Sequence, residues 1–538
     1  MKKILHHYHV CNLICGFMVF FSLSGQVPDM PDWEGGMPDG CTSVTAGRLA
    51  TADGSVITSH TDDSHRTRSE ILIRQAMDHK KGSYVIMYRR VADDTHAMPM
   101  YRNDSIGVIP QVPHTYGYIN SAYPCLNEHQ LAIGESTFGG RPELQSDAGL
   151  IDCQRLCQLM LERCTTARQA IKTAGELTAQ YGWNDAGEAL TIADKKEVWH
   201  LEIVGPGKGK TGSIWVAQRV PDDHVGVNAN ASTIREIDLD NPDYFMASPN
   251  IFSVAKENGW WDEKDGPFRF CYAYAPESRT SMAARRREWR VFDLLAPSLK
   301  LDPNAENYPF SVKPDTLVTL QMLVRVFKDH YEGTEFDMTK DMVVADEKGM
   351  MVKSPLANPH MPYDMNKLFR INGGWGWLGE RTIARWYTMY ATIIQCRNWL
   401  PDEIGGVAWL ALDNVASSIY IPVYGCVTDL PVSYKTPGRP NGYTTESAWW
   451  AFNRLGTLAA QRWGDMHKDL DSVWIPWQTE LFERQPVVEK KALELFIPGK
   501  PAKTIEYLTN YTMYWGEKVV KKAWELGDFL WTKYDELF

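Results

Sequence analysis

Apolar and polar positions alternate most clearly just after residue 40. Ser43-Val44-Thr45-Ala46-Gly47-Arg48-Leu49 and Ser55-Val56-Ile57-Thr58-Ser59 flank Ala52-Asp53-Gly54, so two β-prone runs meet at a glycine-containing turn and predict a hairpin. A second hairpin is predicted from Glu197-Val198-Trp199-His200-Leu201-Glu202-Ile203 and Ser213-Ile214-Trp215-Val216-Ala217, joined by a Gly/Lys-rich loop and followed by Val225-Gly226-Val227. Between them the period lengthens. Over 151–178, Cys153, Leu156, Cys157, Met160 and Cys164 fall on one helical stripe. Strands, a helix and strands again predict a mixed α/β core. After Asp240 the pattern turns helical, most clearly over 280–295 and 315–330. From Glu446 onward long helical patterns carry Trp449, Trp450, Trp463, Trp474, Trp477, Trp515, Trp524 and Trp531. Rings this large read first as the core of a helical C-terminal region, and only second as a sugar- or lipid-binding face.

The start of the chain follows another logic. Met1-Lys2-Lys3 leads into an apolar run over 10–23 closed by Ser24-Gly25, the charge, length and small residues of a signal peptide. That run is shorter than the roughly 20 residues of a spanning helix, so export to a periplasmic or extracellular space is expected, with no later membrane segment. Residues 26–40 are rich in Pro, Gly and Asp and have no period, which marks a pro-segment. The expected organisation is therefore a signal peptide (1–25), a pro-segment (26–40), a main domain (41–435) and a helical region packed on it (436–538).

Composition narrows the partners. With 44% hydrophobic and 23% charged residues the chain is globular, and a net charge of −11 argues against nucleic acid and anionic membrane surfaces. Of ten cysteines, Cys11 and Cys15 would leave with the signal. If Cys41 stays free, seven are left, so at least one more is unpaired and this is no dense disulfide scaffold. Familiar motifs fail. Gly205-Pro206-Gly207-Lys208-Gly209-Lys210-Thr211 lacks the first glycine of a phosphate loop, since Val204 stands there. Cys153, Cys157 and Cys164 lack zinc spacing, and there is no HExxH or GxSxG.

One junction survives. Cys41 stands directly after the pro-segment and directly before the first hairpin, in Asp39-Gly40-Cys41-Thr42-Ser43. Cleavage between Gly40 and Cys41 would free an α-amine with a pKa of about 7.7 to 8.0, a base for the cysteine's own thiol. Gly40, without a Cβ, suits the cramped geometry of thiol attack on its carbonyl.

The run from Cys41 through Ser55, followed by His60-Thr61-Asp62-Asp63, resembles the N-terminus of the dipeptidase A family, cysteine N-terminal-nucleophile hydrolases related to bile salt hydrolase, penicillin V acylase and the secernins. Further segments fit in family order: Tyr118-Ile119-Asn120 through Cys125-Leu126-Asn127-Glu128, Ala217-Gln218-Arg219-Val220-Pro221-Asp222-Asp223, Arg286-Arg287-Glu288-Trp289-Arg290 and Asp329-His330-Tyr331-Glu332-Gly333-Thr334. The resemblance implies an α+β fold, the four-layer αββα sandwich of N-terminal-nucleophile hydrolases. It implies Cys41 as nucleophile after self-cleavage at Gly40–Cys41, Asp63 orienting the α-amine, Asn127 and Asn230 lining an oxyanion hole, and Arg287 beside the nucleophile with Arg286 as its competitor. Arg286 and His60 are expected to touch substrate. His60 stands where relatives carry arginine, so a permanent cation is replaced by a group charged only at low pH, or another arginine, Arg48 among them, compensates. The implied activity is hydrolysis of dipeptides without metal or organic cofactor. Small peptides and further copies of the chain in a homo-oligomer are the expected partners, with no nucleic acid. Two other readings stay open: an amidase for N-acylated small molecules, and a catalytically weakened peptide-binding protein.

Overall fold

The hairpin after residue 40 forms from the strands Gly40–Ala46 and Val56–Asp63, antiparallel with Gly40 opposite Asp63 and Cys41 opposite Asp62. Both strands are buried along their whole length although polar and apolar residues alternate. Their polar face therefore meets protein and not solvent. In the computed structural model, which describes residues 40–93, 95, 98–359 and 380–537, this hairpin is the centre of a seven-stranded antiparallel sheet. Its order is Ser311–Val312, Val225–Asn228, Gly40–Ala46, Val56–Asp63, Thr388–Cys396, Val407–Leu412, Ile421–Tyr424. The expected signal peptide and residues 26–39 of the pro-segment lie outside the described residues.

An eight-stranded antiparallel sheet stacks against the first. It runs Phe245–Ala247, Ile214–Val220, Val198–Val204, Gly187–Ala193, Ala132–Gly139, Leu126–Asn127, Tyr118–Asn120, Leu72–Arg74. The phosphate-loop look-alike is the turn between Val198–Val204 and Ile214–Val220. Polar side chains cross the gap between the sheets. Thr58 Oγ1 lies 2.7 Å from Thr191 Oγ1, Ser43 Oγ donates to the Glu135 carbonyl at 3.0 Å, and Thr45 Oγ1 lies 2.9 Å from His200 Nε2. The approach is closest at Gly134, where a Cβ would stand 2.3 Å from the Ser59 carbonyl oxygen.

The periodic stretch 151–178 is two helices, Cys153–Arg163 and Ala167–Tyr181. Cys164 is extended between them, and Thr166 restarts the helix by accepting from the Gln169 N–H. The predicted stripe is buried, and all eight described cysteines are free thiols. The expected helices over 280–295 and 315–330 appear as Met282–Leu295 and a shorter Leu320–Phe327. The region after Asp240 is not helical throughout, since Thr388–Cys396, Val407–Leu412 and Ile421–Tyr424 complete the first sheet. At the end of the chain Ala448–Gln461, Trp463–Leu495 and Ala502–Lys533 pack on that sheet's edge. Trp474 and Trp515 are buried there, with Trp474 Nε1 donating to the Ser417 carbonyl, whereas Trp531 is exposed.

His200 gives this interior a pH signature. It is fully buried, its Nδ1 has no partner among the described residues, and burial pushes its pKa down to about 3. The unfolded chain, protonating near 6.5, then binds more protons than the folded one below that pH, so stability is lost as pH falls. Urea denaturation at pH 6.5 and 4.5 should show His200→Gln losing about 2 kcal/mol less than wild type across this window, because the unfolded imidazole, half protonated at the upper pH, completes its protonation while the folded one does not.

Candidate active site

Cys41 lies at the floor of a cavity of about 370 Å³ whose wall includes Asp63, Arg90, Tyr123, Asp185 and Glu188. Its thiol donates to Glu135 Oε2 at 3.3 Å, and its backbone N–H donates to Asn230 Oδ1 at 2.9 Å. Arg287 reaches in from the helix Met282–Leu295. Its Nη1 donates to the Cys41 carbonyl at 2.7 Å and to Thr42 Oγ1 at 3.0 Å, and its Nη2 to the Ala229 carbonyl and to Asn230 Oδ1. Asn230 holds a left-handed backbone, φ 59°, which asparagine tolerates better than most residues. Its Nδ2 donates to the Thr137 carbonyl at 2.7 Å. Gly40 is squeezed against this group, for a Cβ would stand 2.5 Å from Asn230 Oδ1 and 3.1 Å from Arg381 Nη2.

Asp63 faces the same corner, because the strand register sets it opposite Gly40. It is fully buried, with Oδ2 accepting from Arg381 Nη2 at 2.6 Å and Oδ1 from Thr388 Oγ1 at 2.6 Å. Burial pushes the Cys41 thiol well above its ordinary pKa, and Glu135, Asp62 and Asp63 push it further. The thiol is therefore protonated at neutral pH, and reaction requires a base to remove that proton. By residue type two groups could hold a metal ion, Cys41 with His60 and Asp62, and Glu135 with Cys153 and Glu188, each with ligand atoms within 4.8 Å of one another.

Not every expected residue arrives. Successive helical residues diverge by about 100°, so Arg286 and Arg287 point apart. Arg286 lies 3.4 Å from the centre of the Phe336 ring and bonds to Glu380 and the Pro303 carbonyl, away from Cys41. Asn127 staples its own loop. Its Nδ2 donates to the Leu161 and Cys164 carbonyls and its Oδ1 accepts from the His129 and Leu131 amides, so the structure does not bring its amide to Cys41. Arg48 is half-exposed and paired with Asp222. His60 is buried between the Tyr123 and Tyr390 rings, with Nδ1 against the Glu135 backbone. Burial pushes its pKa down, so it is neutral where an arginine would be charged. Among the described residues, Arg287 and Arg381 are buried cations beside the nucleophile.

Sequence reasoning missed Arg381, Glu135 and Glu188. None sits in a motif, and Arg381 meets Asp63 across 318 positions of sequence. The one available signal was that Glu135 is charged within the otherwise uncharged run 131–140.

With this geometry in view, the comparisons agree with one another. The model of peptidase family C69 matches residues 40–475. A probable dipeptidase of Latilactobacillus sakei is 26% identical over 439 residues, 79% of this chain and 82% of the relative. A probable dipeptidase B of Lactococcus lactis subsp. lactis is 25% identical over 436 residues, 80% of this chain and 82% of the relative. A probable dipeptidase of Salmonella dublin is 26% identical over 411 residues, 71% and 80% of the two chains.

The Asp63–Arg381 pair sets a stability test. Asp63→Asn leaves a buried guanidinium without its counter-charge and should cost about 3–5 kcal/mol in urea denaturation at pH 7. A loss below about 1 kcal/mol would mean that the pair does not hold this corner together.

Proposed function

Because the chain belongs to peptidase family C69, we propose that it is an exported cysteine dipeptidase that exposes its own nucleophile by cutting before Cys41. The observation that carries the reading is the placement of Cys41 on a buried central strand, at the floor of a cavity and in contact with Asn230 and Arg287. The tight fit of Gly40 supports a junction built for cleavage. Two face-to-face sheets support the four-layer N-terminal-nucleophile hydrolase arrangement. Helices Cys153–Arg163 and Ala167–Tyr181 lie against one sheet, and Met282–Leu295 and the C-terminal helices against the other. The bonds from Trp474 to Ser417 and from Thr512 to Pro422 support reading the last hundred residues as a region packed on the catalytic domain. For export the support is the apolar run 10–23 behind Lys2 and Lys3. Among the described residues no helix is long and apolar enough to cross a membrane.

In the first event the Cys41 thiol attacks the Gly40 carbonyl carbon and the Gly40–Cys41 C–N bond breaks, the thiol proton passing to the departing nitrogen, which gives a thioester and a free α-amine on Cys41. Water then hydrolyses the thioester, releasing the segment that ends at Gly40 as a carboxylate and restoring the thiol. That amine, of a class whose reference pKa is about 7.7 to 8.0, becomes the base. Asp63, held by Arg381 and Thr388, faces it and favours its charged form. In each cycle the amine takes the thiol proton, Sγ bonds to the substrate carbonyl carbon, and the amide donor of Asn230 meets the charge on the oxygen. The proton passes to the leaving amine as the C–N bond breaks. Water, deprotonated by the same amine, then releases the acyl group.

Intact mass and N-terminal sequence of the secreted protein test this directly. Wild type should begin at Cys41 and hydrolyse unmodified dipeptides, whereas Cys41→Ala should retain residues from about Gln26 and hydrolyse none. A wild-type chain that also begins near Gln26 removes the base on which the mechanism depends.

A further inference from the structure

Six carboxylates stand at or beside the cavity, and three of them are paired with arginine. Arg381 and Thr388 hold Asp63, Arg90 binds both Asp152 (3.2 Å) and Asp185 (2.5 Å), and Asp62 accepts from Thr67 Oγ1 at 2.7 Å. Glu135 and Glu188 are different. Among the described residues no lysine or arginine pairs with either, and the histidine beside Glu135, His60, is neutral. Thr137 Oγ1 links the two, 3.0 Å from Glu135 Oε1 and 2.8 Å from Glu188 Oε1. Glu188 is 1% exposed and lines the cavity; among the described residues no donor reaches its Oε2, and the group it meets is the Glu135 carboxyl, itself an acceptor. Two buried carboxyl groups in contact, with no cation between them, hold together by keeping a proton, and a positively charged ligand group can take that proton's place.

The geometry points to a cation of a particular kind. Carboxylate oxygens of Glu135 and Glu188 lie within 4.8 Å of each other, close enough for one ammonium nitrogen to contact both. Glu135 also touches the Cys41 thiol. In an aminoacyl group the α-nitrogen is roughly 2.5 Å from the carbonyl carbon, so an ammonium seated on the pair brings that carbon against Sγ. Resting on the reading of Cys41 as nucleophile, we infer that Glu135 and Glu188 form the subsite for the α-ammonium of the substrate, restricting this chain to aminoacyl amides and excluding N-acylated ones. In the empty site two adjacent carboxylates cannot both ionise, and Glu188, pushed up by burial and by Glu135, keeps a proton. The arriving ammonium displaces that proton to solvent. An N-acylated substrate brings no charge to replace it.

The test uses the mature enzyme and L-alaninol, which carries the ammonium but no scissile bond, with 1-propanol as its uncharged match. The rate at which iodoacetamide alkylates Cys41, followed by peptide mass, should fall saturably with L-alaninol and not with 1-propanol. In Glu188→Gln the half-protecting concentration should rise about 10- to 100-fold, the range for one charge-assisted hydrogen bond. The ratio of kcat/KM for L-alanyl-L-alanine over N-propionyl-L-alanine should be at least about 100 in wild type and shrink by a similar factor in the variant. Equal protection by both alcohols overturns the subsite, as does a Glu188→Gln protein of normal Tm with unchanged protection. If the variant does not fold, the comparison of the two alcohols on wild type decides alone. Protection that EDTA abolishes and a divalent cation restores would assign the pair to a metal and overturn it as well. Protection by L-alaninol in an enzyme that hydrolyses no dipeptide keeps the subsite and removes the dipeptidase reading.

Discussion

The buried guanidinium of Arg287 is the fixed point around which the candidate site is built. Arginine has five N–H donors, and here all five are used: one on the Ala283 carbonyl of its own helix, and four on Cys41, Thr42, Ala229 and Asn230. None of these acceptors is a carboxylate. Burial and the neighbouring Arg381 accordingly push its pKa down, and the cation is retained by geometry and not by a salt bridge. A lysine, with three donors on one nitrogen, could not span the strand and the loop together. Helix, central strand and the loop after Val225–Asn228 are thereby locked into one arrangement, and Cys41 with them.

Charges of both signs meet in that arrangement. Arg287 from the helix Met282–Leu295 and Arg381 from the segment before Thr388–Cys396 approach Cys41 along with Asp62 and Asp63 of the first sheet, whereas the second sheet brings Glu135 and Glu188. The thiol is hydrogen-bonded to Glu135, where its negative form is disfavoured. Such a site does not hold a standing thiolate. It suits a nucleophile that is deprotonated only as it attacks, by a base within reach of the same residue.

Much of this was legible because it is local. The hairpin after residue 40 follows from alternation around Ala52-Asp53-Gly54, and it fixes both Cys41 and Asp63 through one register. The buried stripe of Cys153–Arg163 follows from its period. What the sequence hid is of two kinds. Val407–Leu412 is buried on both faces and reads as an unbroken apolar run, which periodicity cannot separate from a short helix. The remaining misses are long-range. Arg381 and Glu135 acquire meaning only from partners far away in sequence, and Asn127, chosen by position, has its amide consumed by carbonyls more than thirty residues on. Choosing between Arg286 and Arg287 needed the helix phase, which one residue of alignment slip erases.

His60 shows how one neutral residue shapes the whole electrostatic balance. At the position where the family resemblance would put arginine, the ring is wedged between Tyr123 and Tyr390 and fixed against the Glu135 backbone. A guanidinium in that slot would lie within reach of the Glu135 carboxylate, whose Oε2 is 3.9 Å from His60 Nδ1, and would neutralise it. With imidazole there instead, and with burial keeping that imidazole uncharged, no cation from this position faces the Glu135 carboxyl. The cationic side of the site then rests on Arg287 and Arg381, both anchored away from the acidic wall. Histidine at this position therefore leaves Arg287 and Arg381 as the thiol's neighbouring cations and brings no cation to the Glu135 side chain.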